Sequence, residues 1–408
     1  MNGFAASSRP DNARSSADAP KSNVAILVVD DSSVNRTILK RRLAELGYEN
    51  ITVAMDGIQA LAAIEATRFD VVLLDIEMPA LGGIGVLEHQ QALGRRDPPV
   101  IIISAHTSMA AVVRCIELGA EDYLPKTFEL PLLRARLSAV LEKKRLRDLA
   151  AQRLHLLETE LESARLAQLA LVPSDFAQIA GHRTTLHAAM VPARQVGGDF
   201  YDAIRINDTT LLFAVADVAG KGAPAALTMA RTLGLFRASA YHLASEVRIP
   251  DPSDILDLAN SDLARNNPEA IFVTAAVGIL DMRTGIGRLA IAGHETPLRY
   301  DEAGRVEPLL SHKPQLPLGA MEGVTYLSYP FELHSGEALL LLSDGVIEAE
   351  DTTGAFFGRD RLIQVLSAHA QSPHGPRATV DEVFAAVTAF ADGAPQADDI
   401  TALALKFD

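Results

Sequence analysis

In the stretch VGGDFYD, residues 196–202, a glycine pair stands directly before Asp199, and Asp202 follows three residues later. Glycine lets backbone approach another group closely, and grouped carboxylates repel one another unless a cation sits among them. A positive partner is therefore expected there. The pattern recurs: FAVADV carries Asp217 at the end of an apolar run, ALLLLSDG does the same with Asp344, and DDITALALKF opens on Asp398 and Asp399. Carboxylates at four separate strand ends oppose folding unless metal binds. Oxygen-only ligation favours Mg²⁺ or Mn²⁺, and the sequence offers neither a His-x-x-x-His spacing nor a cysteine pair for zinc. His294, alone in AGHETPL, reads as a turn or structural residue. Two divalent ions about 3.5–4 Å apart can bridge a water, lower its pKa and aim it at phosphorus.

A second constellation lies nearer the N-terminus. ILVVDD ends in Asp30 and Asp31, VVLLDIEMP carries Asp75 at its strand end, and the next apolar runs end in Ser104 and Lys126. In a parallel sheet the carboxyl ends of the strands share one crevice, so these groups meet on one rim. Its oxygen-rich character suits Mg²⁺. A carboxylate, a cation, a hydroxyl and a lysine are the parts needed to accept and hold a phosphoryl group. Taken singly, an Asp at a strand end is ordinarily a turn or cap residue and a Lys is solvated. Their order at successive strand ends carries the reading.

The elements that must position these residues follow from the hydrophobic pattern. From Val24 to about residue 140, short runs of Val, Ile and Leu alternate with helical stretches, which predicts a doubly wound, flavodoxin-like parallel sheet, an α/β domain over 23–142. From about Arg134 to Leu171 a charged stretch has no Gly or Pro, and Leu154, Leu157, Leu161 and Ala164 follow a three-four spacing. A helical linker over 143–172 is expected, either an amphipathic helix lying on a neighbouring domain or a coiled coil that makes a homodimer. Pro173 closes it. Beyond Ala180 the texture becomes β-rich, interrupted by two long helical patterns, and an α+β sandwich of antiparallel sheets is expected over 173–408.

Composition limits the alternatives. A chain of 408 residues exceeds one ordinary core. Its net charge of −15 disfavours direct nucleic-acid binding, which needs clustered Lys and Arg. No apolar run suits a membrane span. The lone Cys115 rules out internal disulfides and fits a reducing, cytoplasmic setting. Residues 1–22, rich in Ser, Ala, Asn and Pro without an apolar signal core, are expected to be a disordered tail.

The strings VVDDS, DIEMP, IIISA and EDYLPK, in that order, resemble two-component response-regulator receiver domains over about residues 24–142. The resemblance implies that Asp75 is the phosphoacceptor, that Asp30, Asp31, Asp75 and the Glu77 carbonyl hold Mg²⁺, and that Ser104, Lys126 and the switch aromatic Tyr123 respond to the phosphoryl group. A sensor histidine kinase or other phosphodonor is the implied partner. Two positions depart from the pattern: Gly82 stands where an Asp is usual, and Lys126 is followed by Thr127 rather than proline.

The ordered set VGGDFYD, ADVAGKGAPAAL, AGHETPL, LLLLSDGVIEAED and DDIT resembles the PPM-type metal-dependent serine/threonine phosphatases, in the bacterial branch typified by the stage II sporulation phosphatase, over about residues 164–408. It implies an αββα sandwich that binds two Mn²⁺ or Mg²⁺ ions. Asp199, Asp217, Asp344 and Asp398 are the implied catalytic ligands, assisted by the Val218 carbonyl, with the choice between Asp398 and Asp399 left open. Asp202 takes a supporting place. The implied substrate is a phosphorylated anti-sigma factor antagonist in a partner-switching pathway. The competing expectation is a phosphorylation-gated scaffold of the same fold that binds without catalysis; a DNA-bound regulator is disfavoured by charge.

Overall fold

Uninterrupted aliphatic runs in the N-terminal half become strands buried on both faces. The computed structural model describes residues 21–95, 97–104, 109–181, 183–245, 249–265, 267–311, 313–369 and 375–408. The chain divides into two compact units between Leu156 and Leu157. Of the expected N-terminal tail, residues 1–20 lie outside the described residues, and Lys21–Asn23 forms one 3-10 turn.

In the first unit β1 (Ile26–Val29), α1 (Ser33–Glu45), β2 (Ile51–Ala54), α2 (Gly57–Ala66) and β3 (Val71–Asp75) come first. They are followed by α3 (Gly83–Ala92), β4 (Val100–Ser104), α4 (Met109–Glu117), β5 (Asp122–Pro125) and α5 (Leu130–Leu169). The five strands are parallel in the order β2-β1-β3-β4-β5, the doubly wound arrangement the alternation predicts. Side chains of β1, β3 and β4 alternate between two cores, one shared with α1 and the start of α5, the other with α2, α3 and α4. Helix starts follow capping chemistry: Ser32 Oγ accepts the Asn35 N–H and Asp56 Oδ1 the Gln59 N–H. The strand ends are thereby held at one rim.

Helix α5 packs Leu133, Leu137 and Val140 into the first core. None of its residues from Leu141 to Ala167 is buried, and Leu154, Leu157 and Leu161 of the expected seam are exposed. Burial resumes at Gln168.

The second unit opens with α6 (Phe176–Ile179), β6 (Thr184–Val191), β7 (Phe200–Arg205), β8 (Thr210–Val218), α7 (Ala223–Ser245) and α8 (Pro252–Arg265). Next come β9 (Val273–Asp281), β10 (Ile286–Ala292), β11 (Leu298–Asp301), β12 (Val306–Pro308), β13 (Ser328–Glu332) and β14 (Glu337–Leu342). It ends with α9 (Asp344–Ile347), α10 (Gly358–His369), α11 (Pro376–Ala391) and β15 (Ile400–Phe407). Two antiparallel sheets result, β13-β10-β9-β8-β7 and β12-β11-β14-β15-β6. Strand β15 shows the layering: Leu403 and Leu405 enter the core between the sheets, while Ala402 and Ala404 face Val380, Val383 and Val387 of α11. Helices α7 and α8 cover the other sheet. The expected helix–sheet–sheet–helix sandwich is present, with one correction to the element count. Two helical patterns were expected to interrupt the strands, yet α10 and α11 form a further pair between β14 and β15, because the second sheet also needs an apolar cover.

Candidate functional site

The first unit brings its acidic strand ends together. Asp30 directly follows β1 and Asp75 ends β3; each has a carboxylate oxygen that, with one from exposed Asp31, lies within 4.8 Å of the others. Asp30 is oriented by the Ser32 N–H at 2.9 Å and by Asn35 Nδ2. Lys126 Nζ lies 2.6 Å from Asp75 Oδ2 and 3.0 Å from Asp30 Oδ2. Burial raises the Asp75 pKa, more than the Lys126 ammonium lowers it. Burial pulls Lys126 the other way, but its bonds to Asp75 and Asp30 prevail and keep it charged. The Lys126 N–H donates to the carbonyl of buried Ser104 at 2.9 Å, and the Lys126–Thr127 bond is trans. Tyr123 lies half-buried against the second core, and Glu77 is exposed in the loop after β3. This rim can hold a hard cation and present a carboxylate oxygen to an incoming phosphorus.

In the second unit the loop before β7, the end of β8, the start of α9 and the entry to β15 supply Asp199, Asp217, Asp344 and the pair Asp398–Asp399. The glycine pair explains how the loop fits. A Cβ on Gly197 would stand 2.2 Å from Asp399 Oδ2, and one on Gly198 would stand 2.7 Å from the Val218 carbonyl oxygen. Side chains there would push apart the backbones that deliver the acids.

The neighbouring aspartates at 398 and 399 separate clearly. Asp399 is buried, with Oδ1 accepting the Ala193 N–H at 2.8 Å and Oδ2 accepting the N–H groups of Gly198 and Asp199 at 2.7 and 3.3 Å. Both its oxygens accept backbone N–H groups. Asp398 is half-exposed, with Oδ2 3.2 Å from Lys221 Nζ. Asp202 is fully buried and bound by Arg237 through Nε at 2.9 Å and Nη2 at 2.8 Å. The pair ties β7 to α7.

The remaining acids carry the electrostatic strain. Burial raises the Asp217 pKa to about 7, with repulsion from Asp344 next in size. Burial lifts the Asp344 carboxyl as well, reinforced by Glu348 and Asp398. Asp199 is pushed far up by burial and then by the Asp217 charge, with the nearby Ser343 and Thr401 hydroxyls pulling it partway back. Among the described residues, Asp199 Oδ2 and the neighbouring Thr401 Oγ1 are buried and make no hydrogen bond of sound geometry. Buried polar atoms are seldom left unpaired, and an orphan oxygen among mutually repelling carboxylates is chemically suited to a divalent cation. The donor set is all oxygen, in keeping with Mg²⁺ or Mn²⁺. These acids are not gathered as tightly as the first unit's: among the described residues only Asp30, Asp31 and Asp75 meet within 4.8 Å.

A groove of about 450 Å³ is lined by His294, Glu295, Ser311, Gln315 and Arg359, and the Glu295 charge contributes to the raised pKa of Asp344. Burial depresses the His294 pKa to about 4, and its Nδ1 lies 2.9 Å from Thr274 Oγ1, on the residue opposite Asp217 in β9. The imidazole is thus neutral.

Several residues at this site escape sequence reading. Ser343 accepts the Thr401 N–H at 3.0 Å and donates to the Asp399 carbonyl at 3.3 Å, tying β14 to β15 beneath the acids. Lys221, visible only as part of AGKG, closes on Asp398. Gln168 and Arg237 reach the Gly197–Asp202 segment from helices remote in sequence. Their one signal was a polar side chain in an otherwise apolar helical turn.

Comparison with known proteins gives each unit a separate match. Residues 26–138 match the family model described as response regulator receiver domain, and residues 207–408 match that of stage II sporulation protein E (SpoIIE). Response regulator MprA of Mycobacterium ulcerans is 40% identical over 126 residues, 31% of this chain and 53% of that protein. Protein IcfG of Synechocystis sp. is 29% identical over 272 residues, 60% of this chain and 41% of its own length. The chain thus spans about half or less of the curated relatives it matches. Among solved structures, the SiaA-PP2C domain of Pseudomonas aeruginosa aligns with a TM-score of 0.53 and 27% identity, covering 64% of this chain and 98% of that one.

Proposed function

Because the chain joins a response regulator receiver domain to a SpoIIE-family phosphatase domain, we propose that it is a receiver-controlled, metal-dependent phosphoserine/phosphothreonine protein phosphatase. The observation that carries the reading is the buried, unpartnered Oδ2 of Asp199 among carboxylates whose pKa values burial and mutual repulsion have raised. Asp199, Asp217, Asp344 and Asp398 would hold two divalent ions, assisted by the Val218 carbonyl. Asp399 positions rather than ligates, since backbone N–H groups already occupy both its oxygens. When bound, the ions activate a water and neutralise charge on the phosphoryl oxygens. The aspartates would supply a preorganised oxygen donor set, and the groove lined by Glu295 and Arg359 would admit the phosphorylated segment. Lys221 holds Asp398 in line at the rim until metal arrives.

In the receiver, an Asp75 oxygen attacks the phosphorus of a sensor kinase phosphohistidine or another donor, forming an O–P bond as the donor bond breaks. Asp30, Asp31 and Asp75, with the Glu77 carbonyl, hold Mg²⁺ there. Lys126 pairs with the transferred group, while Ser104 and Tyr123 report its arrival by rearranging on the β4–β5 rim. Residues 143–172 act as the linker and supply a homodimer contact. The substrate is a phosphorylated anti-sigma factor antagonist.

The experiment is release of phosphate from such a phosphoserine antagonist in Mn²⁺, by wild type and Asp344→Asn, before and after treatment with a small-molecule phosphodonor. Activity in wild type, its loss in the variant and a change of rate on treatment support the reading. Silence of wild type in all conditions, together with binding of the antagonist, would replace it with the scaffold.

A further inference from the structure

We propose that Gln168 is a positioning residue for the acidic loop of the phosphatase domain: the last turn of α5 grips Gly197, sets the placement of Asp199 and so tunes the site's affinity for divalent metal. The inference rests on the metal-dependent reading of that site.

Gln168 is the first buried residue of α5 after a long exposed stretch. Its Nε2 donates to the Gly197 carbonyl at 2.7 Å, and its Oε1 accepts the Gly197 N–H at 3.2 Å. The amide thus satisfies both backbone groups of one residue, as a neighbouring strand would. A buried amide is costly unless paired at both ends, and a leucine, as at Leu166 or Leu169, would fill the same volume. The pairing with Gly197 is what distinguishes glutamine here.

Gly197 is a sensitive point to hold. It stands two residues before Asp199, and its Cα faces Asp399 so closely that no Cβ fits. The next two N–H groups are fixed by Asp399 Oδ2. Three residues beyond Gln168, the Leu171 carbonyl accepts Arg237 Nη2 at 2.8 Å, and the same guanidinium grips Asp202. The segment from Gly197 to Asp202 is therefore held at its start by the helix, in its middle by Asp399 and at its end by an arginine that also binds the helix. A turn or shift of residues 168–171 either carries the Asp199 loop with it or strands the Gln168 amide without a partner. Loss of a group that orients a metal ligand typically costs about 10–100-fold in affinity.

The test uses the full chain and Mn²⁺ alone as the probe. Mn²⁺ affinity is measured by titration calorimetry, and hydrogen exchange of the peptide spanning 196–203 is followed in metal-free protein. Three proteins are compared: wild type, Gln168→Met, which keeps length and helix propensity but not the amide, and Val383→Ala, which opens the α11 core away from the loop. Gln168→Met is expected to weaken Mn²⁺ binding about tenfold and to speed exchange of 196–203. Val383→Ala is expected to lower the melting temperature and leave both unchanged. Wild-type affinity and exchange in Gln168→Met would overturn the proposal, as would an equal affinity loss in Val383→Ala. Should Gln168→Met fold poorly, Gln168→Glu, which keeps the acceptor and loses the donor, must show the same pair of changes. A wild type that takes up no Mn²⁺ would instead sink the metal reading and the affinity half of this inference. The exchange comparison would still decide whether Gln168 fixes the loop.

Discussion

Both domains gather carboxylates at strand ends, yet they settle the resulting charge in opposite ways. The receiver places a cation of its own inside the cluster, with Lys126 Nζ within 3.0 Å of both Asp30 and Asp75. In the phosphatase domain the comparable lysine, Lys221, reaches Asp398 and the Ala397 carbonyl at the rim, while buried Asp199 and half-buried Asp217 and Asp344 carry raised pKa values from burial and like charge. The first site is neutralised in part by its own chain. The second carries the repulsion, which the proposed metal ions would relieve.

The largest test of this contrast is Asp217→Asn. Loss of a ligand should cut phosphate release by at least about 100-fold, the scale of removing one preorganised electrostatic group. The same change should raise the melting temperature of the metal-free phosphatase domain, because it deletes a repelling charge. A fall in both would mean that Asp217 is not under repulsion, and the contrast would break.

Metal addition comes next. Mn²⁺ at about 100 times its dissociation constant should stabilise the phosphatase domain by about 2.7 kcal/mol, and chelator should reverse this. Calorimetric scans with Mn²⁺ should show a larger shift for the phosphatase transition than for that of the receiver.

The third test is pH. The folded pKa of Asp217 is raised to about 7, so the metal-free fold binds this proton more tightly than the unfolded chain does. Its contribution to stability is fully present below the unfolded pKa and lost as pH rises through about 7. Metal-free melting temperatures should fall across that window, with a shallower slope in Asp217→Asn and in saturating Mn²⁺.

The smallest effect is expected from Lys126→Met. It removes hydrogen bonds between charged groups that are partly solvent-screened, and should cost the receiver about 1–2 kcal/mol. Mg²⁺ should restore part of that loss, since the three remaining carboxylates then resemble the phosphatase arrangement. Urea unfolding of the variant with and without Mg²⁺ measures both.

Most of the receiver was legible before folding. ILVVDD, VVLLD and VIIIS are short, wholly aliphatic and end in chemistry, so strand identity and rim position follow from pattern and topology rules together. The phosphatase domain was legible in its motifs but less so in its layers. Leu362 and Leu366, then Val380, Val383 and Val387, carry helical spacing, yet only the sheet they cover shows why α10 and α11 are needed. The missing proline after Lys126 left the lysine's geometry open from sequence, and the fold closed the question through the Ser104 carbonyl.

The sequence by itself determined which residue types stand at strand ends, because periodicity and turn chemistry act over a few residues at a time. It could place Asp398 and Asp399 side by side but not tell them apart. Only the tertiary structure separates them, by directing one into the backbone N–H groups of Ala193, Gly198 and Asp199 and leaving the other at the rim with Lys221. The same holds for Gln168 and Gly197. Their pairing depends on where a long helix ends against a loop 29 residues away, and no local preference encodes that meeting.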